Sequence, residues 1–160
     1  MHGQDNSELR METTCEAELR HLVMLSPDDL VGVWGEVEPL LDRACAYSGG
    51  AFSTESVRAL VDTGVMRIIA YKTNERISSL VVVTITQAST GLRLFEILLA
   101  SGEGMRDWLN FEDTIKNYAK QFGCHRMRAI TREGMQRTLR HWRRTAVVLE
   151  LDLDDKKDIN

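Results

Sequence analysis

Residues 92–132 constrain the fold more than any other part of the chain. An apolar run (92–100) leads into Ser101-Gly102-Glu103-Gly104, then an amphipathic stretch (105–122), Gly123, and a second strand-like run (124–131). The order predicts strand, glycine loop, helix, strand. A helical crossover separates the two strands, so they pair best in parallel. Two glycines between a strand end and a helix start let backbone N–H groups converge, and the helix dipole favours an anion there. Within the helix Met105, Trp108, Leu109, Ile115, Ala119 and Phe122 share one face, and Gly123 is suited to end it.

The rest of the chain can be built around this unit. Residues 19–25 suit a first strand. Ser26-Pro27-Asp28-Asp29 combines a capping serine, a proline at the first helical position and an acid three residues after the cap. Leu30, Val33, Trp34, Val37, Leu40, Leu41, Ala44 and Cys45 then recur at helical spacing, and Pro39 among them predicts a kink or two abutting helices. Tyr47-Ser48-Gly49-Gly50 ends that element. Ser53 or Thr54 caps a second helix over 55–62, closed by Gly64. Residues 65–71, 77–86 and 92–100 are strands joined by tight turns, hence an antiparallel meander. The middle one is β-branched or apolar almost throughout, as in a strand buried on both faces. Residues 133–142 form a short basic helix. In 146–153, Val147, Leu149, Leu151 and Leu153 alternate with Val148, Glu150 and Asp152, the pattern of a half-buried final strand. The expected organisation is a flexible N-terminus (1–18), one domain (19–153) and a charged tail (154–160). The fold class is α+β, a mixed sheet with helices on both faces.

Composition excludes several classes. At 160 residues the chain can bury a core without staples, and a net charge of −4 argues against a molecule built around nucleic acid. No run approaches a membrane span, and the polar start carries no export signal, which implies the cytoplasm. Cys15, Cys45 and Cys124 are far apart, and His21, His125 and His141 are scattered, so no metal site is expected. The one strong charge asymmetry is 125–144, with seven arginines against Glu133. It reads either as an anion site or as a solvated helix face. Arg126 and Arg128 share a strand face and can act together.

Several short pieces converge on one superfamily: Trp34 to Pro39 with Leu41, Gly49-Gly50-Ala51-Phe52-Ser53, the turn into 77–86, Gly102-Glu103-Gly104-Met105 with Trp108, Tyr118-Ala119-Lys120-Gln121-Phe122-Gly123-Cys124, and Arg132-Glu133-Gly134-Met135 with Leu139. Over roughly 19–153 the chain resembles the GNAT N-acetyltransferases, and more narrowly their small bacteriophage-encoded relatives. The resemblance implies acetyl-CoA bound in the cleft between 92–100 and 124–131. Its loop motif, Arg/Gln-x-x-Gly-x-Gly/Ala, falls on Leu99, Ala100, Ser101, Gly102, Glu103 and Gly104, with Met105 following. Leu99 stands at the Arg/Gln position, and Glu103 adds a negative charge beside the phosphates. The implied base toward an amine acceptor is Glu96, which shares a strand face with Leu94 and Leu98. Its other reading is a carboxylate paired with Arg93 or Arg128. No tyrosine follows Tyr118 to serve as the usual acid; Glu133 and Cys124 are the remaining candidates. Two functions stay open: an acetyltransferase, or an inactive domain on the same fold acting as a virion component or host-interaction protein.

Overall fold

The computed structural model describes residues 19–131 and 133–154, with the Glu133 side chain outside that set. The expected flexible terminus (1–18), the tail beyond 154, Cys15 and Arg132 therefore lie outside the described residues. Five strands form one sheet in chain order: β1 (Arg20–Leu25), β2 (Met66–Thr73), β3 (Arg76–Gln87), β4 (Arg93–Gly102) and β5 (Arg126–Ala129). Neighbours run antiparallel from β1 to β4, while β5 lies parallel to β4. The β2–β3 connection is a two-residue turn in which Asn74 and Glu75 take φ values of 52° and 67°. Positive φ at both positions matches the strand twist and makes the reversal tight.

Helices cover both faces. On one, α1 (Pro27–Ala46) and α2 (Thr54–Asp62) pack Leu30, Val37, Leu41, Val57 and Val61 onto Ile68, Leu80 and Val82. Ser26 starts α1 through a reciprocal cap with Asp29, both bonds 3.0 Å. Those bonds hold the Asp29 carboxyl below its ordinary range. Ser53 and Ser56 cap α2 in the same way. Pro39 lies inside α1, which continues through it as one helix rather than two. The carbonyl deprived of its donor belongs to Gly35, which is exposed to solvent.

On the other face, a 3-10 helix (Met105–Phe111) and α3 (Glu112–Gln121) bring Trp108, Ile115 and Ala119 against Ile69, Tyr71, Val81, Val83 and Phe95. The sequence predicted one helix over 105–122. Two tethers hold its first turns down on the sheet: Trp108 Nε1 donates to the buried Ser79 Oγ (3.0 Å), and Tyr71 Oη donates to Asp107 Oδ2 (3.2 Å). β3 is buried on both faces over Leu80–Val83, as its composition requires.

The C-terminal part departs from expectation. The basic helix shrinks to α4 (Glu133–Gln136), followed by turns such as Leu139 N–H to Met135 O (3.0 Å). Gly134 inside so short a helix weakens it by about 1 kcal/mol relative to alanine. The final strand over 146–153 does not form. Val147, Leu149, Leu151 and Leu153 are 61%, 89%, 86% and 95% exposed. Alternation gives a segment two faces, but a strand also needs an edge to bond, and this segment pairs with none among the described residues.

Candidate functional site

Two bulges shape the end of the sheet nearest the glycines. In β4, Val82 faces Leu99 and Val83 faces Ile97, so Leu98 is an extra residue that bends the strand. The β4–β5 pairing then stops at Ile97 with Ala129. Beyond that point β4 continues through Leu99, Ala100, Ser101 and Gly102 with no strand on that side among the described residues. The two parallel strands part, and the edge of β4 is open. The bulge was not foreseen, since nothing in a run of apolar residues marks which of them is doubled.

In β3, Tyr71 faces Ser79 and Lys72 faces Ile77, so Ser78 is the extra residue. Its carbonyl accepts the Glu103 N–H at 3.0 Å. One of the loop donors expected to face a ligand is thus used within the chain. Gly102 has φ 112°, and a β-carbon there would lie 2.3 Å from Ser78 O and 2.5 Å from Ser79 Cα. Gly104 has φ 75° and caps the 3-10 helix over the Tyr71 ring. Each glycine is therefore demanded by local backbone geometry. The N–H groups of Gly104, Met105 and Arg106 find no acceptor among the described residues.

The loop also carries its own carboxylates. Glu103 is exposed. Asp107 Oδ2 would lie 3.4 Å from a β-carbon on Gly104, and accepts from Tyr71 Oη and, at 3.5 Å, from Arg20 Nη1. Burial, and then the neighbouring carboxylate, push the Tyr71 hydroxyl above its ordinary pKa and keep it a donor. Arg20, Tyr71 and Asp107 come from distant parts of the sequence, so spacing could not reveal the cluster.

Glu96 stands where the strands part, one pair before the last, opposite Arg128. It is 6% exposed. Its Oε1 accepts from Thr86 Oγ1 (2.6 Å) and Arg128 Nη2 (2.8 Å), leaving Oε2 without a partner among the described residues. Of the two pairings considered, Arg128 is the one formed; Arg93 instead binds the Phe122 carbonyl and Gln87. Thr86 was missed, although its place two residues from Thr84, which faces Glu96, put it within diagonal reach. Cys124 precedes β5, at the opposite end from the opening and roughly 16 Å away along the strand. Burial raises its thiol pKa, so it remains protonated but remote.

Two shallow cavities of about 420 and 380 Å³, both bordered by Gly64 and Arg67, lie at the other end of the sheet. Neither touches the glycine loop. Where the β4–β5 pairing ends after Ile97 and Ala129, the β4 edge offers backbone hydrogen bonding. Among the described residues no three His, Cys, Asp or Glu side chains could hold a metal ion, and no helix is long and apolar enough to cross a membrane.

No family model and no curated protein matches the sequence. Solved structures do share its architecture. A ribosomal-protein-alanine N-acetyltransferase from Brucella melitensis biovar Abortus 2308 superposes with a TM-score of 0.58 at 11% identity, covering 83% of this chain and 99% of that one. A predicted acetyltransferase from Clostridium acetobutylicum, solved with acetyl-CoA, gives 0.58 at 12% identity over 84% and 97%. An aminoglycoside acetyltransferase from an uncultured soil metagenomic sample, in complex with sisomicin, gives 0.59 at 10% identity over 84% and 97%. The chain has the GNAT acetyltransferase fold, an α+β mixed sheet.

Proposed function

We propose that this chain is an acetyltransferase that binds acetyl-CoA in the opening between β4 and β5 and uses Glu96 as base toward an amine. The observation that carries the reading is the pair formed by the Leu98 bulge and the loss of β4–β5 pairing beyond Ile97. They leave unpaired N–H and C=O groups around Leu99 and Ala100. An arm with two amides, such as pantetheine, can bond that edge as a missing strand would. The residues present fit such an arm. The free N–H groups of Gly104, Met105 and Arg106 fit its diphosphate, while Glu103 and Asp107 weaken that end of the site.

Acetyl-CoA, when bound, supplies an acyl group activated as a thioester. The chain supplies position and a proton acceptor. Thr86 and Arg128 fix one oxygen of Glu96, and the other is free to take the proton of an ammonium or amine, directly or through one water. No tyrosine follows Tyr118 and Cys124 is remote, which leaves Glu133 or solvent to protonate the departing thiolate.

Isothermal titration with acetyl-CoA tests the reading. Binding below millimolar concentration supports it, with Gly104→Glu abolishing it and Glu103→Gln strengthening it. No heat at millimolar ligand sinks it. A second reading is favoured by the carboxylates in the loop: the fold serves to hold a protein partner, virion or host as the sequence resemblance implies, without catalysis. Co-purification with particles or a host protein, in a chain that does not bind acetyl-CoA, would select it.

A further inference from the structure

Arg67 is a cation without an anion. It is half-buried on β2 and has no hydrogen bond or ion pair among the described residues. Its guanidinium carbon lies 4.4 Å from the centroid of the Phe122 ring. Stacking attracts the charge to the ring face but gives its five N–H donors no acceptor. Arg67 borders both hollows at the end of the sheet away from the glycines. The first is also lined by Asp62, whose charge opposes an anion. The second, of about 380 Å³, is lined by Arg93 as well, and by no acidic side chain. Arg93 is held in place there: its Nε and Nη2 donate to the Phe122 carbonyl and its Nη1 to Gln87. Most of the remaining wall is apolar, from Val65, Val83, Ile85 and Phe122.

We propose that this second hollow binds a small monocarboxylate with a short apolar body. The two guanidinium groups set the sign of the ligand, and the fork of Arg67 matches the two oxygens of a carboxylate. The apolar wall sets the rest, since an alkyl chain laid against Val83 and Ile85 leaves water. A bare phosphate leaves that wall wet, and an alkylammonium of the same length is repelled. The volume falls within the roughly 300–1,000 Å³ of small-molecule sites. Arg93 begins β4, while the pairing with β5 ends at Ile97, about 13 Å further along the strand. The hollow is therefore separate from the opening assigned to acetyl-CoA, and its occupation does not depend on that assignment.

Titration of the nitrogen-15-labelled full chain with hexanoate, followed by amide chemical shifts, tests this. Saturable shifts are expected at Gly64, Arg67 and Thr84, with half-saturation at millimolar concentration or below, and none at residues 102–104. Hexylamine and inorganic phosphate, the controls for charge and for the apolar body, are each expected to bind at least tenfold more weakly. Arg67→Gln is expected to weaken hexanoate by roughly fivefold to tenfold, because it removes the unpaired charge. Circular dichroism checks that the variant folds. Should it not fold, Arg67→Lys keeps the charge but not the planar fork, and is expected to weaken hexanoate about threefold. Shifts that do not saturate, or that lie away from the hollow, overturn the proposal. So does phosphate or hexylamine binding as tightly as hexanoate, or a folded Arg67 variant with unchanged affinity.

Discussion

Gly102 lies so close against Ser79 that a β-carbon on the glycine would sit 2.5 Å from the Ser79 Cα. The contact is backbone against backbone, where the β3 bulge at Ser78 meets the end of β4. Neither strand can retreat without breaking the ladder. Gly102→Ala is therefore expected to cost about 3 kcal/mol or more, from the collision and from φ 112° together. Gly104→Ala meets only ordinary contacts and costs about 1 kcal/mol for its positive φ. Chemical denaturation of the two variants, without ligand, checks the difference. Equal losses would mean that the Ser78–Ser79 contact does not limit residue 102.

Asp107 sets the charge of the glycine loop. Its carboxylate lies beside Gly104, held by Tyr71 and shared with Arg20. A unit charge about 4 Å from a phosphate is repelled by roughly 4 kcal/mol at an effective dielectric of 20, and less where water reaches the pair. Asp107→Asn removes that repulsion. Affinity for CoA is expected to rise by roughly tenfold, by titration at low salt, and the gain to shrink as salt is added. The same change leaves Tyr71 a neutral amide oxygen in place of a carboxylate as acceptor, which weakens that bond by about 1 kcal/mol. Unchanged affinity would place the diphosphate away from this loop.

Glu96 is a buried partner of Arg128, and the proposed function gives it a second role, that of base. The substitution Glu96→Gln keeps the hydrogen bond from Thr86 and the shape of the side chain but cannot take a proton. Acetyl transfer is expected to fall by roughly a hundredfold or more in kcat, with little change in KM for acetyl-CoA. Arg128→Met acts in the other direction: it strands a carboxylate that is 6% exposed, and costs about 2 kcal/mol, less than a fully buried pair because Arg128 is half in water. Steady-state kinetics beside thermal melts separate the two. If the glutamine variant retains full turnover, Glu96 serves only the ion pair.

Much of the fold could be read from patterns one or two residues long. The Ser26 cap, the Asn74-Glu75 turn and the apolar run of β3 each declare their structure locally, and the parallel placement of β5 follows from the crossover before it. What escaped depends on pairings between distant residues. The bulges at Leu98 and Ser78 are set by how three strands twist together. The Tyr71–Asp107 and Ser79–Trp108 bonds, which pull residues 105–111 into a 3-10 helix, join segments about thirty residues apart. The final strand failed for the converse reason: its alternation was legible, while its failure to pair with any strand of the sheet was not. Glu96 and the glycines could be named from the sequence as candidates, whereas the use of the Glu103 N–H by Ser78 could not.

Ser101 carries a buried hydroxyl with no partner among the described residues. It sits opposite Leu80 in β4, on the sheet face covered by α1. A buried hydroxyl that gives up water and gains no bond costs about 1–3 kcal/mol. Ser101→Ala removes the oxygen and little volume, so it is expected to stabilise the free chain by about 1 kcal/mol in a denaturant melt. Should that hydroxyl bond a ligand at the adjacent open edge, the same variant would bind acetyl-CoA more weakly, and the two measurements together distinguish an idle group from a used one.

Glu112 clasps the C-terminal part of the chain onto α3. Its Oε1 accepts from Trp142 Nε1 at 2.8 Å and bonds His141 Nε2, with Lys116 Nζ 3.7 Å from Oε2. Burial opposes the charge, yet the bonds from Trp142 and His141 outweigh it and hold the carboxyl below its ordinary value of 4.5. A lowered carboxyl pKa stabilises the folded form above the ordinary value, and that stability is lost as pH falls through the lowered one. The clasp is therefore expected to hold at neutral pH and to open over the interval below 4.5, as pH falls through the lowered value. Glu112→Gln is expected to cost about 1 kcal/mol at neutral pH and to flatten the loss of stability over that interval. Melts across the pH series, with tryptophan emission reporting release of Trp142, check both effects. Parallel pH profiles for the wild type and the variant would show that the clasp does not depend on the Glu112 charge.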